Sequence, residues 1–161
     1  KESSAASDVY KRQRLCSIHS SKLPATESSI VKVPAFIVED NATIRDNLIS
    51  ALEELTSLEI VGTADSEEDA CKWLKRHPER WHIAIVDLFL KQGSGLGVIE
   101  AFRERPGSQK LIVLSNYATN DMRRRCKELG ADAVFDKSNE LDALVDFLMA
   151  PENQAVATAA R

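Results

Sequence analysis

From Pro34 onward the chain alternates short, unbroken apolar runs with stretches whose apolar residues recur at helical spacing. The first run, Ala35-Phe36-Ile37-Val38, stops at Glu39-Asp40, and Ile44, Leu48, Ala51, Leu52 and Leu55 then share one face of a helix. A second run, Leu58 to Val61, closes at Gly62. Ser66-Glu67-Glu68-Asp69 has the form of a capping box and opens a helix with Ala70, Trp73, Leu74 and His77 on one side, ended by Pro78. Ile83-Ala84-Ile85-Val86 is the third run and stops at Asp87. The glycine-bearing segment Gly93-Ser94-Gly95 follows, then a helix that turns Val98, Ile99 and Phe102 inward and breaks at Pro106-Gly107. Leu111-Ile112-Val113-Leu114 stops at Ser115. Met122, Cys126 and Leu129 share the next helical face, with Gly130 placed to end it. The weak fifth run, Val134-Phe135, stops near Lys137, and Ser138 is placed to cap a last helix carrying Leu141, Leu144, Val145 and Leu148.

Five βα units in succession predict an α/β fold with a parallel sheet covered on both faces, because each run is too apolar to leave a face in water. Right-handed crossovers leave few topologies, and a flavodoxin-like, doubly wound five-stranded sheet in order 2-1-3-4-5 with five helices is the expected one. The domain is expected over residues 34–150. Residues 1–33, rich in Ser and charge, and residues 151–161, rich in Ala, read as disordered segments. Asp8-Val9-Tyr10-Lys11-Arg12-Gln13 has the form of a translated sequencing adaptor, so residues 1–13 are expected to be foreign to the fold.

Composition narrows the function. A chain of 161 residues suits one domain with its own core. No apolar run approaches the length of a transmembrane helix, and the polar start holds no signal-peptide core. A net charge of −4 argues against direct nucleic-acid binding. Cys16, Cys71 and Cys126 are odd in number and widely spaced, which suits neither zinc nor a disulfide framework and points to a reducing, cytoplasmic setting.

In a sheet of this kind ligands bind beyond the carboxyl ends of the strands, near the switch point. Strand 1 delivers Glu39 and Asp40 there, strand 3 Asp87, strand 4 Ser115 and strand 5 Lys137. Carboxylates so close repel one another unless a cation intervenes. Mg2+ fits, since it takes one or two protein carboxylates beside waters and phosphate oxygens. Lys137 offers a point charge to an anion and Ser115 a hydroxyl donor. Together these parts describe a phosphoryl-transfer site.

On Val38-Glu39-Asp40-Asn41, Ile85-Val86-Asp87-Leu88 with Gly95 beyond it, Leu114-Ser115, and Gly130-Ala131-Asp132 leading to Phe135-Asp136-Lys137, the chain resembles the receiver domain of bacterial two-component response regulators. The resemblance implies that Asp87 is the phosphoacceptor, attacking a phosphohistidine on a histidine kinase or a histidine phosphotransfer protein. It implies Mg2+ held by Asp40, Asp87 and the backbone carbonyl of Phe89, with Glu39 acting through a water. Ser115 and Lys137 would hold phosphoryl oxygens and report the modification to the fourth helix, fifth strand and fifth helix. On that output face the candidates for contact with an unknown downstream protein are Arg123, Arg124, Arg125, Val134 and Phe135.

The chain departs from the family at Val134, where the switch aromatic usually stands, at Ser138, which replaces a proline, and at Lys91. The family nonetheless suggests a cis Lys137–Ser138 peptide. Phe89 and Tyr117 are placed to shield an acyl phosphate from water, which implies a long-lived phosphoryl group. The basic cluster Arg123-Arg124-Arg125 with Lys127 reads more readily as a solvated face than as a docking patch, and Gly93-Ser94-Gly95-Leu96-Gly97 as flexible helix entry, since it matches no nucleotide motif. An aspartyl phosphatase would need a carboxylate two residues after the nucleophile, where this chain has Phe89. The reading is therefore a stand-alone receiver that catalyses only its own phosphorylation and dephosphorylation. The alternatives are a pseudo-receiver that binds partners without phosphate, or a truncated response regulator.

Overall fold

Each of the five apolar runs forms a strand: β1 (Val33–Val38), β2 (Leu58–Ala64), β3 (Ile83–Val86), β4 (Lys110–Ser115) and β5 (Ala133–Asp136). They alternate with α1 (Ala42–Leu55), α2 (Glu67–Arg76), α3 (Gly95–Ala101), α4 (Asn120–Leu129) and α5 (Leu141–Met149), and a single turn, α6 (Pro151–Gln154), follows. The strands pair in parallel in the order β2-β1-β3-β4-β5, the flavodoxin-like order the sequence predicts. This is a computed structural model, and it describes residues 30–154. The expected N-terminal segment up to residue 29, with the adaptor-like residues 1–13, and residues 155–161 lie outside the described residues.

Successive strand residues point to opposite sides of a sheet, and here both sides are covered. Phe36, Val38, Ala84, Val86, Leu111, Val113 and Val134 meet Ala70, Leu74, Val98, Ile99 and Cys126 from α2, α3 and α4. Ala35, Ile37, Ile83, Ile85, Ile112 and Leu114 meet Leu48, Leu52, Leu144 and Leu148 from α1 and α5. Two buried faces account for unbroken apolar runs in place of alternation. Each fully buried Leu, Ile, Val or Phe contributes roughly 1.5–3 kcal/mol over its exposed state. Trp73 stacks on Phe36 with ring centroids 4.5 Å apart, and the side-chain-free Gly62 lets that pair lie against β2.

Helix ends follow the sequence closely. Asn41, Ser66, Ser94 and Thr119 cap α1 to α4 by accepting the N–H groups of Ile44, Asp69, Leu96 and Met122. Gly130, at φ 115°, ends α4 in the left-handed conformation. Four expectations need correction. β1 begins at Val33, which is buried, so the boundary lies before Pro34. The tail does not begin at 151: Asn153 is buried and its Nδ2 donates to the Phe147 carbonyl at 2.7 Å, a second bond to that carbonyl beside the one from the Ala150 N–H at the end of α5. Ser138 does not cap α5, which starts at Leu141 after Glu140. Every described peptide bond is trans, Lys137–Ser138 included.

The region of α4, β5 and α5 is joined by one guanidinium. Arg123 donates from Nε to the Ala118 carbonyl at 2.9 Å, from Nη1 to the Val134 carbonyl at 2.7 Å and from Nη2 to Glu140 at 2.7 Å. Glu140 also accepts the Asp136 N–H at 2.7 Å. The half-buried Arg123 thus commits its guanidinium to bonds within the fold, while Val134 is buried against α4. Val134 does not stand on the surface as an output-face residue.

The Arg123 hydrogen bond, and after it that from the Asp136 N–H, hold the Glu140 carboxyl below its ordinary value. A depressed carboxyl pKa stabilises the fold above the unfolded-state pKa, and that stabilisation is lost as pH falls through the folded-state value. Glu140→Gln is expected to lower the thermal midpoint at pH 7, with the gap from wild type closing as pH falls below about 4. Melting curves over a pH series check this; a gap independent of pH would remove the ion pair from the account.

Candidate functional site

The register of the central strands assembles the acidic group. Val38 of β1 is level with Val86 of β3, so the residues that follow emerge side by side. The ladder runs one step further, with Asp87 N–H on the Val38 carbonyl at 2.9 Å and Glu39 N–H on the Ala64 carbonyl at 3.0 Å. Beyond that step the backbone turns away and leaves three carboxylates at the carboxyl edge of the sheet. On the other side Ser115 ends β4 level with Asp136, and the Lys137 N–H donates to the Ser115 carbonyl at 3.1 Å. Glu39, Asp40, Asp87, Ser115 and Lys137 line one cleft of about 220 Å3, together with Phe89 and Tyr117.

Each of Glu39, Asp40 and Asp87 offers a carboxylate oxygen within 4.8 Å of the others, the one such acidic group among the described residues. The Lys137 ammonium lies between two of them, donating to Asp87 Oδ2 at 2.8 Å and forming a close ion pair with Glu39. Burial disfavours that ammonium, but the hydrogen bonds it donates to Asp87 and Glu39 outweigh the cost and hold its pKa above the ordinary lysine value. Glu39 is only 2% exposed, and its other oxygen accepts the Asn41 N–H at 3.0 Å. Asp40 Oδ2 accepts the Lys91 N–H at 2.7 Å and Asp87 Oδ1 the Phe89 N–H at 3.3 Å. Ser115 is fully buried, and its hydroxyl accepts the Tyr117 N–H at 3.2 Å.

The β3–α3 loop lies tightly over this edge. Gly95 donates its N–H to the Leu88 carbonyl at 3.0 Å, and a Cβ on it would overlap the Asp87 carbonyl. That close approach is why a glycine stands there. Phe89 and Tyr117, 53% and 61% exposed, touch across the mouth of the cleft with ring centroids 4.8 Å apart.

All five polar residues singled out in the sequence meet in one place. The output-face candidates do not form one surface. Arg124, paired with Asp121 at 2.6 Å, and Arg125 are exposed, Phe135 packs edge-on to Phe147, Arg123 is half-buried and bonded to its neighbours, and Val134 is buried. Two supporting groups were not foreseen. Arg45 on α1 donates to the Glu39 carbonyl at 3.2 Å and pairs with Asp65, and the Lys91 N–H holds Asp40. Local periodicity carries no signal for either, because the partners come from separate elements.

Three hard oxygen donors within reach of one another, with room beside them, suit a small hard divalent cation such as Mg2+. The described residues include no helix long and apolar enough to cross a membrane.

Comparison with known proteins agrees with this geometry. The model of the response regulator receiver domain matches residues 35–149. The probable chemotaxis protein CheY of Rhizobium etli is 30% identical over 108 residues, covering 66% of this chain and 81% of that protein. The uncharacterized transcriptional regulatory protein YvfU of Bacillus subtilis is 30% identical over 112 residues, 69% of this chain, which spans only 54% of YvfU. Among solved structures, the CheX–CheY–BeF3–Mg2+ complex from Borrelia burgdorferi has a likeness of fold, with TM-score 0.66 at 19% identity over 73% of this chain and 87% of that one. With a carboxylate group at the switch point, a lysine across it and a family model matching residues 35–149, this chain belongs to the response regulator receiver domains, a family of signalling modules and not of catalytic enzymes.

Proposed function

We propose that the chain is a receiver whose Asp87 accepts a phosphoryl group in a Mg2+-dependent reaction in the cytoplasm. The observation that carries this reading is the Lys137 ammonium bridging Asp87 and Glu39 beside Asp40, with Ser115 across the cleft. Asp87 and Asp40, with the Phe89 carbonyl, would hold the metal directly, and Glu39 would act through a water. The bound ion would neutralise charge on the transferring oxygens. An Asp87 carboxylate oxygen forms the new P–O bond as the P–N bond of a phosphohistidine breaks, its electron pair returning to the donor imidazole. Lys137 then moves its hydrogen bonds from carboxylate to phosphoryl oxygen, and the Ser115 hydroxyl donates to a second one. The donor is a histidine kinase or a histidine phosphotransfer protein. The chain acts on a downstream protein, through the exposed part of α4 that carries Arg124 and Arg125 and through the neighbouring β5–α5 surface. The CheX complex of the Borrelia CheY, which holds BeF3 and Mg2+, supports such a cycle of phosphoryl chemistry and partner binding.

Incubating the chain with Mg2+ and a small phosphoramidate is expected to add one base-labile phosphoryl group to the intact mass. The gain should vanish with EDTA and in Asp87→Asn. A folded chain that binds Mg2+ and gains nothing would instead be a domain that binds partners without phosphate.

The aromatic pair at the mouth restricts water. Once the chain is phosphorylated, Phe89→Ala and Tyr117→Ala are each expected to hasten loss of the phosphoryl group severalfold. The time course of intact mass after donor removal checks this, and unchanged decay in both variants would contradict the shielding role.

A further inference from the structure

The segment Gly93-Ser94-Gly95-Leu96-Gly97 reads in the sequence as flexible helix entry, but in the fold it is built around one side chain from another element. Glu67, the first residue of α2, reaches over it. Its Oε2 accepts the Ser94 N–H at 2.7 Å and its own N–H donates to the Gln92 carbonyl at 3.2 Å. A Cβ on Gly93, which sits at φ 79°, or on Gly97 would overlap the Glu67 side chain, so both glycines make room for it. A glutamate in a first turn ordinarily serves its own helix dipole. Here Ser66 caps α2 through the Asp69 N–H at 3.2 Å, and half-buried Glu67 spends its carboxylate on the β3–α3 loop.

Ser94, which Glu67 holds, is bridged antiparallel to Phe89. Phe89 is the residue whose carbonyl is the third direct ligand in the reading above. We propose that Glu67 is a positioning residue for the metal site: by fixing Ser94 it sets, across that bridge, the backbone of Phe89. This rests on the Mg2+ reading of the site. Two further ties of the loop run to the acidic group itself, from the Lys91 N–H to Asp40 at 2.7 Å and from the Phe89 N–H to Asp87 at 3.3 Å. Those carboxylates must be shared with an incoming cation, whereas Glu67 stands outside the group and keeps its bond. Such outer partners orient ligands they never replace.

The test is Mg2+ affinity by calorimetry, with amide hydrogen exchange over residues 88–95 in the metal-free chain. Glu67→Ala is expected to weaken Mg2+ binding roughly tenfold and to speed exchange in that loop. The phosphorylation rate at saturating Mg2+ should stay near that of wild type. Glu67→Gln, which keeps an acceptor for Ser94, should recover most of the affinity. Gly97→Ala raises helix propensity yet should also weaken Mg2+ binding, because its Cβ displaces the Glu67 carboxylate. In the Glu67→Ala background the same change should have no further effect. Wild-type affinity in both single variants, or additive losses in the double variant, would overturn the proposal. A wild-type chain that binds no Mg2+ would overturn the reading of the site itself and this proposal with it.

Discussion

Three carboxylates and one ammonium meet at the carboxyl edge of the sheet, and much of the site's surroundings answers to that charge balance. Glu39 is buried, Asp87 nearly so, and neither is stable there as a lone anion. The Lys137 ammonium serves both, reaching from the end of β5 across the mouth of the cleft. Backbone N–H groups of Asn41, Phe89 and Lys91 each donate to one more carboxylate oxygen. One ammonium offsets only part of the charge of three carboxylates, and a dication entering the site must compete with the lysine for Glu39 and Asp87. In the proposed reaction that competition would leave Lys137 free to turn toward a phosphoryl group.

The rest of the fold holds the edge in place. The register of β1 against β3 brings the carboxylates together, and the two apolar layers that fix this register are continuous across all five strands. Arg45 ties the end of β1 to Asp65 after β2, and Arg123 ties the β4–α4 loop to β5 and the start of α5. At the opposite edge Arg105 gathers the carbonyls of Phe102, Gln109 and Gly130 and pairs with Asp132, closing the ends of α3 and α4. The arginines serve as multidentate clamps on backbone carbonyls, a use that suits the planar, five-donor guanidinium.

The fold and the five polar site residues were legible in the sequence because both depend on local pattern. Each site residue falls at the point where an apolar run stops, and the topology alone brings those stops together. What escaped depends on contacts between elements. Glu67 lies 27 residues from Ser94 and Arg123 lies 17 from Glu140, and nothing in the period of either helix marks the side chain as spent elsewhere. Ser138 misled for a related reason. Hydroxyls favour caps in general, but here Glu140 turns back to the Asp136 N–H and Arg123, and α5 starts later. The turn at Pro151–Gln154 has too little apolar character to signal itself; its buried Asn153 acts through one hydrogen bond to the end of α5.

The claim that Lys137 stands in for part of a cation's charge is tested most directly by the Mg2+ dissociation constant of Lys137→Ala against wild type, measured by calorimetry. Removing a competing positive charge from Glu39 and Asp87 should tighten Mg2+ binding severalfold. Affinity that is unchanged or weaker, in a variant shown to be folded, would contradict the charge balance on which the account depends.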